Sequence, residues 1–159
     1  MVIHIGRNNN NKRRPKKIMT KWVKSYKDIP YKDIDSSVFG FSDQKKRIIY
    51  AIKGKTSEAD VLHEEYHIKK NHPDKPRDYK DFARQEIDST FYAYKKTGQP
   101  YHIIKQLRAI LNDICINEYN ANENEAIGFL KSYLFSLDIP DTWKEDYKKI
   151  KKEYDKAYK

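Results

Sequence analysis

The stretch that most constrains this chain is VLHEEYHIKKNHP, at residues 61–73. His63 and His67 stand four residues apart with Glu64 just after the first. On an α-helix that spacing projects both imidazoles from one face, a turn apart. Two imidazoles so placed can ligate one zinc ion, and the intervening Glu64 can reach a water on the metal. The segment is bounded as a helix should be. Ser57 can cap it, Glu58 and Asp60 fall in its first turn where the helix dipole favours acids, and Pro73 and Pro76 forbid its continuation much beyond Asn71. The plain alternative is an exposed helix rich in His, Glu and Lys. Against it stand Ala59, Leu62 and Tyr66, an apolar stripe the helix could bury, and the strand-like run RIIYAI at 47–52 just before it.

A catalytic zinc needs three protein ligands and an open position for water. The next helix is expected over about residues 78–96, ending near Gly98 and Pro100. Tyr79, Phe82, Ala83, Thr90 and Ala93 make its least charged stripe, and Glu86 sits in the middle of it. Asp88 lies about 200° further round, on the side of Asp81, Arg84 and Lys95. A carboxylate on an inward stripe is costly unless it is paired or binds metal. Glu86 is therefore the preferred third ligand over Asp88, with a salt bridge to a lysine at the core edge as its other reading.

Together the two segments resemble a gluzincin metallopeptidase, in which an H-E-x-x-H helix is followed by a glutamate helix. HtpX and the ImmA/IrrE-type peptidases carry a glutamate helix close to E-x-x-[AS]-[DN]-x-x-A. Here it reads Glu86-Ile87-Asp88-Ser89-Thr90-Phe91-Tyr92-Ala93. Small Ser89 and Ala93 fit, Thr90 replaces the usual Asp or Asn, and Glu65 stands where such motifs carry an uncharged residue. The chain's size also resembles the single-domain minigluzincins. The resemblance spans roughly residues 36–100. It implies an α+β fold: a minimal zincin with a small antiparallel sheet, an active-site helix and a glutamate helix, followed by a helical C-terminal part. It implies Zn2+ held by His63, His67 and Glu86, with Glu64 as the catalytic base and later acid in peptide-bond hydrolysis. Thr90 would orient a ligand histidine, more weakly than Asp or Asn. RIIYAI would be an edge strand binding an extended substrate through Tyr50, Ala51 and Ile52. The oxyanion donor would be His102, with Tyr92 and Tyr94 as further candidates.

The remaining chain divides into three. Residues 1–17 hold a short strand-like VIHI and then GRNNNNKRRPKK, a basic arm without apolar periodicity; 18–100 form the catalytic core; 101–159 form a helical subdomain packed on it. IMTKWVKSYKDI at 18–29 reads as a short helix with Ile18, Trp22, Val23 and Tyr26 on one side. SSVFGF and RIIYAI read as a hairpin around SDQKK. Amphipathic stretches follow at about 101–118, 123–136 and 140–157, the last packing Trp143, Tyr147, Ile150 and Tyr154. His72 is expected at the end of the first helix and outside the ligand set.

Charge raises competing functions. The net charge is +10, and the first 32 residues carry ten Lys and Arg against one acid, Asp28. A nucleic-acid-binding protein could grip phosphates with residues 7–32, stacking bases on Trp22, Tyr26 and Tyr31, with a structural metal or none. A latent peptidase is a third reading, its cleft blocked by the last helix or by the basic arm docked against Glu64 and Glu65. The single cysteine, Cys115, precludes an internal disulfide, and its apolar neighbours Leu111, Ile114 and Ile116 suggest a buried thiol in a reducing compartment. No apolar run approaches a membrane span and the first residues hold no apolar signal core, so a cytoplasmic protein is expected.

Overall fold

The computed structural model describes residues 2–5, 17–98 and 101–157. The expectations placed on residues 7–16 of the basic arm lie outside the described residues. The architecture is α+β. Four strands, β1 (Val2–Ile5), β2 (Met19–Val23), β3 (Gly40–Asp43) and β4 (Ile48–Ile52), form one sheet in the order β1-β3-β4-β2. Five α-helices follow: α1 (Glu58–Lys69), α2 (Tyr79–Thr97), α3 (Ile104–Asn112), α4 (Glu123–Ser136) and α5 (Asp141–Ala157). No helix among the described residues is long and apolar enough to cross a membrane.

Two sequence expectations need correcting. The sheet is mixed rather than antiparallel: β3 and β4 form the antiparallel hairpin, but β1 runs parallel to β3 and β2 parallel to β4. Both outer strands precede the hairpin in sequence and reach it through long connections, which is what parallel pairing requires. The segment read as a helix at 18–29 is instead the strand β2, followed by a single 3-10 turn at Tyr26–Asp28 capped by Ser25. Its Thr, Trp and Val suit a pleated surface, and pairing along β4 satisfies backbone groups that an isolated short helix would leave to water.

One sheet face packs Phe41, Tyr50 and Ile52 against Ile29, with Ile3, Tyr26 and Tyr31 at the margin. The Tyr31 ring stacks on Phe41 with centroids 4.2 Å apart, and its hydroxyl donates to Asp43. The other face presents Ser42, Ile49 and Ala51, all buried, on the side of α1. Gly40 lies opposite Ala51 on this face, and a Cβ there would meet the Tyr50 carbonyl at 3.0 Å. The larger core joins α2 to the last three helices through Ala83, Ile87, Leu107, Leu111, Leu130 and Trp143. The fully buried Trp143 donates from its indole nitrogen to the Tyr101 carbonyl at 2.7 Å. After α3 a five-residue π turn, Asp113–Asn117, buries Ile114 and Cys115.

The helix α1 lies between the sheet and α2. Its buried residues are Glu64, His67 and Ile68. Ala59, Leu62 and Tyr66, expected to form its buried stripe, are only half-buried. The helix thus turns two ionisable side chains toward its neighbours beside a single fully buried aliphatic one.

Candidate metal centre and cleft

Local capping sets both helices that build the site. Ser57 accepts from the Asp60 backbone at 3.1 Å while Asp60 accepts from the Ser57 backbone at 3.0 Å, a reciprocal capping box that starts α1. Asp78 caps α2 by accepting from the Asp81 backbone at 2.8 Å, and Gly98, with φ 69°, ends it in the left-handed conformation that glycine adopts freely. Between these ends α1 and α2 pack directly on each other.

Across that contact His63, His67 and Glu86 converge. His63 Nε2 lies 3.1 Å from one Glu86 carboxylate oxygen, His67 Nε2 lies 3.2 Å from the other, and the two Nε2 atoms are 3.0 Å apart. Zinc–ligand bonds of about 2.1 Å in a tetrahedral arrangement would space donor atoms ~3.3 Å apart. The three donors therefore stand close to where a shared ion requires them, and they form the candidate metal cluster among the described residues.

The outer nitrogens explain the inward aim. Thr90 Oγ1 donates its single proton to the Glu86 carbonyl at 3.0 Å, so toward His63 Nδ1, at 3.2 Å, it acts as an acceptor. In the neutral ring this places the proton on His63 Nδ1 and leaves Nε2 bare, whereas the protonated ring donates from Nε2 to Glu86. His67 Nδ1 meets His72 Nδ1 at 2.8 Å. With the proton on His67 Nδ1, its Nε2 also turns a lone pair inward. Two lone pairs and a carboxylate facing one another repel unless a cation, a proton or a metal ion, sits among them. Burial resists ionisation of Glu86, but attraction to His67 and hydrogen bonds from both histidines outweigh it and hold the carboxyl well below the usual range. Burial likewise works against charge on His63, yet the hydrogen bond and attraction of Glu86 raise its pKa above the ordinary value.

Glu64 faces the same cleft, a cavity of about 410 Å³ lined by all three cluster residues, by Glu64 itself, and by Val2, Thr90 and Tyr101. It is buried, and the hydroxyl of Ser42 on β3 donates to its Oε2 at 2.8 Å. Glu65 points elsewhere and pairs with Lys69 at 3.9 Å. Asp88 is turned away from the histidines and accepts from the Tyr133 hydroxyl.

Other expected roles do not survive. Tyr50, Ala51 and Ile52 are buried in β4, whose two edges are already paired with β3 and β2, so no peptide can add there as to an edge strand. His102 is not among the residues that line the cleft. Its Nδ1 is bonded to the buried Asp146 of α5 at 3.0 Å, and the same carboxylate accepts from the Ile103 backbone at 2.7 Å. Asp146 thereby anchors the start of α3 and takes His102 with it. Tyr92 accepts from Lys69 at 3.3 Å, Tyr94 packs on Trp143, and neither is among the residues that line the cleft. Of the aromatic residues proposed to stack bases, Tyr31 and Tyr26 are committed to the sheet's packing, and Trp22 is exposed.

Sequence reasoning missed Ser42, His72 and Tyr101. Ser42 carried a weak signal, a polar residue alternating into an otherwise apolar face. Tyr101 lines the cleft and donates to the Thr90 carbonyl at 3.0 Å. His72 gave no signal, because its ring reaches His67 only through the turn that follows α1. No protein-family model, curated protein or solved structure matches the chain.

Proposed function

We infer that this protein is a zinc-dependent peptidase of the gluzincin kind, with His63, His67 and Glu86 as ligands and Glu64 as the proton-transferring group. The convergence of three donor atoms at 3.0–3.2 Å beside a buried, cleft-facing carboxylate carries the reading. Zinc held there supplies Lewis acidity toward a carbonyl and lowers the pKa of water. The chain's own residues do the rest. Thr90 and His72 fix the ring orientations, Ser42 holds Glu64 in place through its Oε2, and the Glu64 carboxylate takes a proton from water and returns it to the leaving amine. Among the described residues the cleft lining includes five carboxylates, Asp60, Glu64, Asp74, Glu86 and Asp113, and neither Lys nor Arg, so basic peptides are the substrates it favours.

The test is hydrolysis of a lysine- and arginine-containing peptide library by the zinc-loaded protein, with Glu64→Gln as control. The parent should cleave, and the variant should retain zinc but lose turnover. Equal cleavage by both would place the activity outside this site. Failure of the parent to retain zinc would overturn the reading altogether.

A further inference from the structure

The strand that reaches Glu64 is β3, through Ser42. One edge of β3 pairs with β4, and the other is taken by β1 in the parallel register Val2↔Gly40 to Ile5↔Asp43. On this register Val2 lies on the same sheet face as Ser42, and Val2 is the β1 residue among those lining the cleft. Residues 2–5 thus lie where an extended peptide would have to lie in order to pair with β3 and present its backbone to Glu64.

The described side chains of β1 are lightly held. The strand spans four residues, Val2 and Ile3 are half-buried, and Ile5 is 38% exposed. The Gln44 backbone donates to the Ile5 carbonyl at 2.9 Å at the far end of the pairing. None of the described side chains of β1, Val2, Ile3 and Ile5, is buried as most of those of β4 are. When β1 departs, β3 keeps a row of backbone donors and acceptors with no partner, and such a row recruits another strand.

We propose that the outer edge of β3 is the peptide-docking groove of the cleft, and that residues 2–5 occupy it as an intramolecular stand-in, so that a substrate strand enters as β1 leaves. The hydrolytic part of this proposal rests on the peptidase reading; the docking part does not. If β1 fills the groove for more than nine-tenths of the time, the apparent affinity for an incoming strand is reduced roughly ten-fold or more.

The experiment uses the full chain with Val2→Gly and Ile3→Gly together, which removes the apolar hold without adding charge near the cleft. The probe is a fluorescently labelled peptide of sequence MVIHIG, titrated against zinc-loaded parent and variant, both carrying Glu64→Gln to prevent turnover. Binding roughly ten-fold tighter to the glycine variant supports the proposal. Equal affinity for the two proteins overturns it. With Glu64 restored, cleavage of a basic peptide should rise by a similar factor in the variant. Tighter binding without any cleavage keeps the docking groove and removes the peptidase reading. Equal cleavage by both keeps the peptidase and removes the masking. Should the double variant lose its helical circular dichroism, Ile3→Ala alone gives the same comparison with a smaller expected gain.

Discussion

Replacing Glu86 by Gln tests the metal centre most directly. The substitution keeps the volume of the side chain and removes its charge, leaving His63 and His67 facing a neutral amide. Four-ligand structural zinc sites bind with roughly 10–16 kcal/mol, about 3–4 kcal/mol per ligand. Loss of one ligand of three should therefore weaken zinc binding by a factor on the order of 10²–10³. One effect works the other way. Glu86 raises the His63 pKa through its hydrogen bond and charge, so removing it lessens the competition from protons for that nitrogen. This offsets only part of the loss, and the net weakening should stay on the order of 10². Competition titration against a chromophoric zinc chelator at about pH 7.5 measures the change, and metal content of the purified proteins checks it. Asp88→Asn is the matched control, two residues on along the same helix and on its opposite side. It should leave zinc affinity within about three-fold while lowering stability by about 1–2 kcal/mol, because the Tyr133 hydroxyl loses a charged acceptor. Zinc affinity of Glu86→Gln within three-fold of the parent, or an equal loss in Asp88→Asn, would refute the three-ligand geometry.

The outer partners should matter less, but in the same direction. Thr90→Val and His72→Ala should each lower zinc affinity by roughly ten-fold without unfolding the chain, seen in the same titration, since each frees one ligand ring to rotate. The metal-free protein should be more stable near pH 6 than near pH 8, read as a shift in melting temperature. His63 holds its proton to higher pH when folded than the ~6.5 of an unfolded histidine, so the folded state binds more protons across that interval and loses this contribution as pH rises through the raised value. Zinc affinity should run oppositely and fall as the solution is acidified below the His63 pKa, because the metal must displace that proton. Asp146→Ala should destabilise the protein by about 2–4 kcal/mol in chemical denaturation, leaving the Ile103 backbone donor buried without its acceptor, whereas His102→Ala should leave any peptide cleavage unchanged.

What the sequence revealed and what it withheld divide along the range of the interactions concerned. The Ser57 cap of α1, the end of α2 near Gly98, the facing of His63 and His67, and the choice of Glu86 over Asp88 all follow from the 3.6-residue repeat and from neighbouring residues. These are local relations, and they emerged in the structure nearly residue for residue. All but one of the errors concern partners brought from afar. Whether Met19–Val23 is a helix or a strand depends on the open edge of β4, more than twenty residues later. Whether β4 is an edge depends on β2 in turn, and whether His102 enters the cleft depends on an aspartate 44 residues away on α5. One miss belongs to neither kind. The expected apolar stripe of α1 is half-exposed, and the buried places go to Glu64 and His67 beside Ile68. A helix that obeys its capping rules at both ends yet buries a carboxylate and an imidazole between them gives up hydrophobic free energy at those positions. The conflict between local pattern and burial falls at the residues proposed to bind and activate, and that is where selection for chemistry rather than for stability would put it.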